Sequence, residues 1–331
     1  MAQAVFQELK IDALRDFWAR KTSAVVQGGN SADEWVSDNT LLCGLRLNLL
    51  ETLRFLMPAR PTYEQFEAWI VERNGGSMDD TELDRLRRAL AGEAVGSEHG
   101  LLKDVEGLSE ADLAQWDREG YAVLKQAVSK EYAKAAEAAI YEFLRMDPED
   151  PQSWYAETLG KTIWVPFLRH PALVANRRSP RIAKAFAQLW GREDLWATVD
   201  QAGLNPPEHP GWTFPGPHLH WDSTLATPHY FGVQGILYLV DVAEDQGAFS
   251  CVPGFHKKLE AWLKDLPPGA DARKVAEASL TMKPIAANAG DLVLWHHSLP
   301  HGSSPNHAKR PRVVQYICMR PTQYEYNADW R

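Results

Sequence analysis

Residues 290–305 read GDLVLWHHSLPHGSSP, and the order of parts in that stretch decides the fold. A Gly-Asp turn opens it, an apolar run at 292–295 has the length of a buried strand, and a polar loop with His301, Gly302 and Ser303 follows. Arg312 then heads a second run, VVQYICM at 313–319. Similar β-branched and aromatic runs stand at 121–124 (YAVL) and 232–242 (GVQGILYLVDV), punctuated by Gly-Asp, Pro-Gly and Pro-Asn turns. Many short strands separated by turns predict a mainly β core with flanking helices, a sandwich or barrel of the jelly-roll, cupin-like kind, instead of βαβ repeats.

N-terminal to this core the texture is helical. Leu42, Leu45, Leu49, Leu53 and Leu56 recur every three or four residues, predicting one helix face that Pro58 and Pro61 bring to a stop. Tyr63, Phe66 and Ile70 continue the pattern until Asn74-Gly75-Gly76 breaks it, and Leu83, Leu86 and Leu90 mark another amphipathic stretch. A fresh start follows Gly107: residues 109–112 (SEAD) have the form of a capping box, and Gly120 ends that helix. A further helix at 130–145 is expected to bury Tyr132, Ala136, Ile140 and Phe143. The division expected is a helical extension over 1–107, serving as a packing layer, a dimer contact or a lid, and a β domain over 108–331.

Composition narrows the function. A formal charge of −9 disfavours general nucleic-acid binding, which needs a cationic surface. No run of 18 apolar residues is present to span a membrane. Glu8, Lys10, Asp12 and Arg15 are unlike the apolar region of a signal peptide, and Cys43, Cys251 and Cys318 are too few and too scattered for a disulfide framework or a thiolate metal site. The expectation is a cytoplasmic, reduced protein.

The histidines are distributed unevenly. Nine of 11 fall between His209 and His307, where an even spread would place about three. In His220-Trp221-Asp222, residues i and i+2 of an extended chain point to one side, so imidazole and carboxylate converge. His301 lies in the loop after the apolar run, in competition with His296 and His297. Two histidines and one carboxylate make the facial triad that holds iron(II) while leaving positions open. An arginine deep in the same barrel, Arg312 in preference to Arg310, supplies a planar fork matched to a carboxylate.

With these parts in order, the sequence resembles the phytanoyl-CoA dioxygenase (PhyH) family of Fe(II)/2-oxoglutarate-dependent oxygenases. The resemblance rests on LSEADLAQWDREGYAVLKQAVS from Leu108, the HWD triplet, the block GDLVLWHHSLPHGSSPNHAKRPR, and the strand after it. It implies a double-stranded β-helix in which His220, Asp222 and His301 ligate iron. It further implies that Arg312 pairs with the distal carboxylate of 2-oxoglutarate and that Ser303 hydrogen-bonds the same group. Halogenating relatives have a small residue where Asp222 stands, so the resemblance implies O2-dependent hydroxylation of a small-molecule C–H, releasing succinate and CO2. Residues 148–217 would carry substrate contacts. Two rivals are a cupin-type metalloenzyme that does not use 2-oxoglutarate, which leaves Arg312 and Ser303 idle, and a non-catalytic jelly-roll binding protein, against which a complete triad argues.

Overall fold

The computed structural model describes residues 7–23, 31–97, 100, 102–155 and 161–329. The N-terminal layer consists of α1 (Asp12–Thr22), α2 (Ala32–Gly44), α3 (Leu49–Ala59), α4 (Tyr63–Arg73) and α5 (Asp80–Leu90). The leucine series expected on one helix is divided between two. Leu42 closes on α2 while Leu49, Leu53 and Leu56 belong to α3, because Arg46 turns the chain at φ 52° and the Asn48 side chain then accepts from Glu51 N–H to start a new helix. Pro58 lies inside the last turn of α3, where it forgoes one hydrogen bond without stopping the helix, and Arg60 in the left-handed region ends it instead. Phe17, Leu41, Leu56, Phe66 and Leu83 form the core of this layer, and Trp196 from the β domain is buried among them.

The domain that follows comprises α6 (Glu110–Glu119), β1 (Tyr121–Leu124), α7 (Lys130–Leu144), β2 (Trp164–Val165), α8 (Pro171–Arg177), α9 (Pro180–Trp190), β3 (Leu195–Ala197), β4 (Ala202–Asn205), β5 (Val233–Tyr238) and β6 (Phe249–Cys251). It continues through α10 (Leu259–Asp265), α11 (Ala272–Ser279), β7 (Lys283–Pro284), β8 (Leu292–His296), β9 (His301–Ser303), β10 (Arg312–Tyr316) and β11 (Met319–Pro321). The sheet-rich core with flanking helices is as expected, although the strands are so short that helices hold more of the described residues than strands do. The capping box forms between Ser109 and Asp112. On α7 the buried stripe is Ala133, Ala136, Ile140 and Leu144; Tyr132 and Phe143, expected inside, are 55% and 45% exposed. The small residues on that stripe let α7 and α8 approach closely.

An antiparallel sheet runs β1-β8-β5-β10-β4-β2, and a smaller one runs β7-β6-β9. Alternation along each strand sends one set of side chains to the helices and the other to the smaller sheet. Leu292, Leu294, Leu237 and Val313 pack with the helices, whereas Val293, Trp295, Tyr238 and Val314 meet Phe249 and Cys251. Arg312 and Tyr316 share the parity of Val314 on β10, which directs them between the sheets. The run expected at 313–319 breaks after Tyr316: the Cys318 carbonyl accepts from Thr198, and β11 leaves the large sheet to pair with β3.

The Gly-Asp turn before β8 has a specific basis. Gly290 takes φ 90° with its α-carbon so close to β1's neighbour that an added Cβ would lie 2.5 Å from the Val128 carbonyl. The Asp291 carboxylate accepts from Gln126 N–H at 2.9 Å and Asn288 N–H at 3.0 Å and pairs with Lys125 at 2.9 Å, fixing the register of β8 against β1. No described helix is long and apolar enough to cross a membrane.

Candidate active site

β9 and the segment before Trp221 meet in a single antiparallel bridge, with His220 and His301 exchanging N–H···O bonds of 2.9 Å in both directions. The HWD segment is therefore not a regular strand, and His301 sits on one instead of in a loop. Trp221 points into the core, donating its indole N–H to the Ser298 carbonyl at 3.1 Å, so His220 and Asp222 face the other way. Asp222 Oδ1 lies 3.2 Å from His220 Nε2 and Oδ2 lies 3.4 Å from His301 Nε2. One ligand atom from each of the three falls within 4.8 Å of the others, as a shared cation requires.

The hydrogen bonds behind the rings fix which nitrogen faces inward. His220 Nδ1 is 2.8 Å from the His218 carbonyl and His301 Nδ1 is 3.0 Å from the Leu299 carbonyl. A carbonyl can only accept, so each Nδ1 carries the proton and each Nε2 presents a lone pair to the centre. Burial alone would raise the Asp222 pKa, but without a cation the His220 and His301 rings, when Nε2 is protonated as well, donate to the carboxylate and their charge outweighs burial, holding the carboxyl well below the usual carboxylate range. Gln234, on β5, donates to Asp222 Oδ2 at 2.7 Å. For His220, burial opposes protonation, but the Asp222 carboxylate raises its pKa on balance.

Arg312 is fully buried between the sheets. Its Nη1 donates to Ser303 Oγ at 2.9 Å, while among the described residues Nε and Nη2 have no partner. A buried guanidinium with two unmet donors is costly unless an acceptor joins it. Ser303 and Tyr316, both beside it, line a cavity of about 280 Å³ that also contains His220, Asp222 and His301. Arg310, by contrast, pairs with Glu149 at the surface at 2.8 Å.

The sequence profile of the phytanoyl-CoA dioxygenase (PhyH) family matches residues 116–314, more than half of the chain. The chain belongs to this family. The PhyH match takes in the triad, Ser303 and Arg312 and leaves the N-terminal layer outside. A Dictyostelium discoideum protein whose name places it among the phytanoyl-CoA dioxygenases is 24% identical over 258 residues, covering 62% of this chain and 74% of its own. The Ava biosynthesis cluster protein O of Aspergillus versicolor is 24% identical over 240 residues, covering 63% of this chain and 77% of its own. Among solved structures, the non-heme alpha ketoglutarate dependent carbocyclase SnoK from nogalamycin biosynthesis is similar at a TM-score of 0.49 and 19% identity, covering 66% of this chain and 87% of SnoK.

His296 and His297, the alternatives to His301, lie outside the triad of this PhyH-family chain. His296 Nδ1 accepts from Ser298 N–H at 3.0 Å, and burial lowers its pKa to about 4. His297 is held lower, at about 3, by burial and then by the nearby Arg320 charge. The expected substrate-contact segment reaches the cavity through Trp164, Asp200 and Pro217. Sequence reasoning missed Gln234, Arg320, and Asn48 and Leu50 of the N-terminal layer, which also line it. Gln234 had a faint signal as one of two polar residues, with Asp241, in an otherwise apolar run; Arg320 and Asn48 had none.

Proposed function

We propose that this protein is a non-haem Fe(II)- and 2-oxoglutarate-dependent dioxygenase that hydroxylates a C–H of a small-molecule substrate, on a double-stranded β-helix. The carrying observation is the pairing of a His220–Asp222–His301 cluster with an arginine that has two unmet donors beside the same cavity. The donor set suits a divalent first-row cation: two neutral imidazoles and one carboxylate, with the remaining positions facing open space. Iron bound there, with 2-oxoglutarate and O2, supplies the oxidising power for C–H cleavage, and 2-oxoglutarate leaves as succinate and CO2.

The chain's own contribution is placement. His220 and His301 present Nε2 because the His218 and Leu299 carbonyls hold Nδ1. Gln234 steadies Asp222. Arg312 offers Nε and Nη2 to the distal carboxylate of 2-oxoglutarate, and Ser303, already in its hydrogen-bond network, closes the same pocket. Asn48 and Leu50 make the helical extension part of the cavity wall.

The test is anaerobic titration of the protein with Fe(II) and 2-oxoglutarate. A weak visible metal-to-ligand charge-transfer band is expected in the wild type and is expected to be absent in Asp222→Ala. A wild-type protein that binds both components without developing the band would sink the proposal.

A further inference from the structure

A second cavity, of about 380 Å³, adjoins the first. Its walls include Trp35, Trp190, Tyr230, Phe231, Tyr324 and Tyr326, from the helical extension, α9, the loop before β5 and the C-terminal segment. Asp222 and Arg320 line both cavities, so the two spaces meet at a metal-ligand candidate and a cation.

Arg320 is unlike the other arginines near the centre. Arg312 is sealed between the sheets behind Ser303, and Arg273 is held by the Trp221 and Ser223 carbonyls, both at 2.9 Å. Among the described residues Arg320 has one hydrogen-bond partner, the Tyr324 hydroxyl at 3.3 Å from Nη1, and no carboxylate pairs with it. Arg320 is half-buried and lines both cavities, which places its guanidinium where the two spaces meet. Its charge reaches the cavity wall, where it helps keep His297 neutral. A half-enclosed guanidinium facing an aromatic slot provides planar recognition of a carboxylate together with stacking surface for a flat body.

We propose that the substrate is a carboxylic acid on a flat, largely apolar body: Arg320 holds the carboxylate, the aromatic walls hold the body, and a C–H is thereby presented beside Asp222. This rests on the reading of the centre as an iron and 2-oxoglutarate site. The carboxylate is a substrate group distinct from that of 2-oxoglutarate, which Arg312 takes.

The experiment measures binding of benzoate, phenylacetate, 3-phenylpropionate and indole-3-acetate, each against its primary amide, to full-length protein loaded anaerobically with Fe(II) and 2-oxoglutarate. At least one acid is expected to bind tenfold or more tightly than its amide. Arg320→Gln should erase that preference, Arg320→Lys should keep part of it, and neither should change the 2-oxoglutarate dissociation constant more than about twofold. The inference is overturned if no acid outbinds its amide, or if Arg320→Gln weakens 2-oxoglutarate as much as Arg312→Gln does. Failure of the charge-transfer band in the wild type would instead overturn the reading of the centre, so the two failures are distinguishable.

Discussion

Arg312 illustrates how a single side chain couples stability to ligand binding. Its guanidinium is fully buried with two donors unmet, so the apo protein carries an uncompensated desolvation cost that a carboxylate would relieve. Arg312→Met keeps the length and removes the charge. The expected result is a melting temperature of the apo protein that is unchanged or higher, together with 2-oxoglutarate binding weakened roughly 30- to 150-fold, for about 2–3 kcal/mol of charge-assisted hydrogen bonding. Fe(II) affinity should stay constant, and calorimetric titration of each component separates the two. An equal loss of metal and 2-oxoglutarate affinity would show that Arg312 shapes the metal cluster instead. Arg312 and the HWD residues were legible in the sequence because their chemistry is written in residue type and short spacing. Gln234 was only faintly legible and Arg320 not at all, because the fold alone brings each beside Asp222 or its cavities from a segment distant in sequence.

Among the elements, β9 is the hinge of the site. Gly302 lies between the metal-ligand candidate His301 and Ser303, and an added Cβ would meet the His218 carbonyl oxygen at 2.4 Å and the Pro217 oxygen at 2.9 Å. Both are backbone atoms and cannot rotate away, so Gly302→Ala must push the 217–220 segment off β9. His220 would move with it, since the His218 carbonyl orients its ring. A tenfold or greater loss of Fe(II) affinity is expected, read by titration, in a variant whose circular dichroism matches the wild type. Retained affinity would mean that the bridge is not what sets the ligand geometry.

The end of β8 carries a pH dependence. His296 and His297 are depressed to about 4 and about 3, while in the unfolded chain both titrate near 6.5. The unfolded state therefore takes up protons first as pH falls, so the stability these rings contribute is complete above pH 6.5 and declines from there toward pH 4. Comparing urea unfolding at pH 7 and pH 5, His297→Asn should lose about 1–2 kcal/mol less stability than the wild type. Identical pH dependence in the two proteins would place the titration elsewhere. Strands such as β1 and β8 could be located from apolar runs between turns, whereas the gap between α2 and α3 could not, because the leucine spacing runs through residues 45–48 uninterrupted and only the backbone at Arg46 divides it.

At the scale of the molecule, the N-terminal layer and the β domain share a boundary built around Trp196. This side chain sits on β3, is 4% exposed within the helical core, and has the Arg85 guanidinium stacked 3.7 Å from its ring centre. Arg85 also donates to the Leu195 carbonyl at 2.9 Å, Asn48 to the Val199 carbonyl at 2.8 Å, and Thr40 to the Thr322 carbonyl at 3.2 Å. The helical character of the layer that ends with α5 was readable from apolar periodicity, but its docking was not, since these contacts join residues far apart in sequence. Because Asn48 and Leu50 line the metal-site cavity and Trp35 lines its neighbour, the layer is tied to the site as well as to the core. Trp196→Ala is expected to cost roughly 3–5 kcal/mol through the cavity it leaves, lowering the melting temperature by several degrees while the charge-transfer band persists. Deleting residues 1–107 removes the helices packed over Trp196 and part of both cavity walls, so it should yield a chain that aggregates on purification. A deletion variant that is soluble, as stable as the β domain in the full chain, and unchanged in its preference for aromatic acids over their amides would show that the helical layer is neither support nor wall.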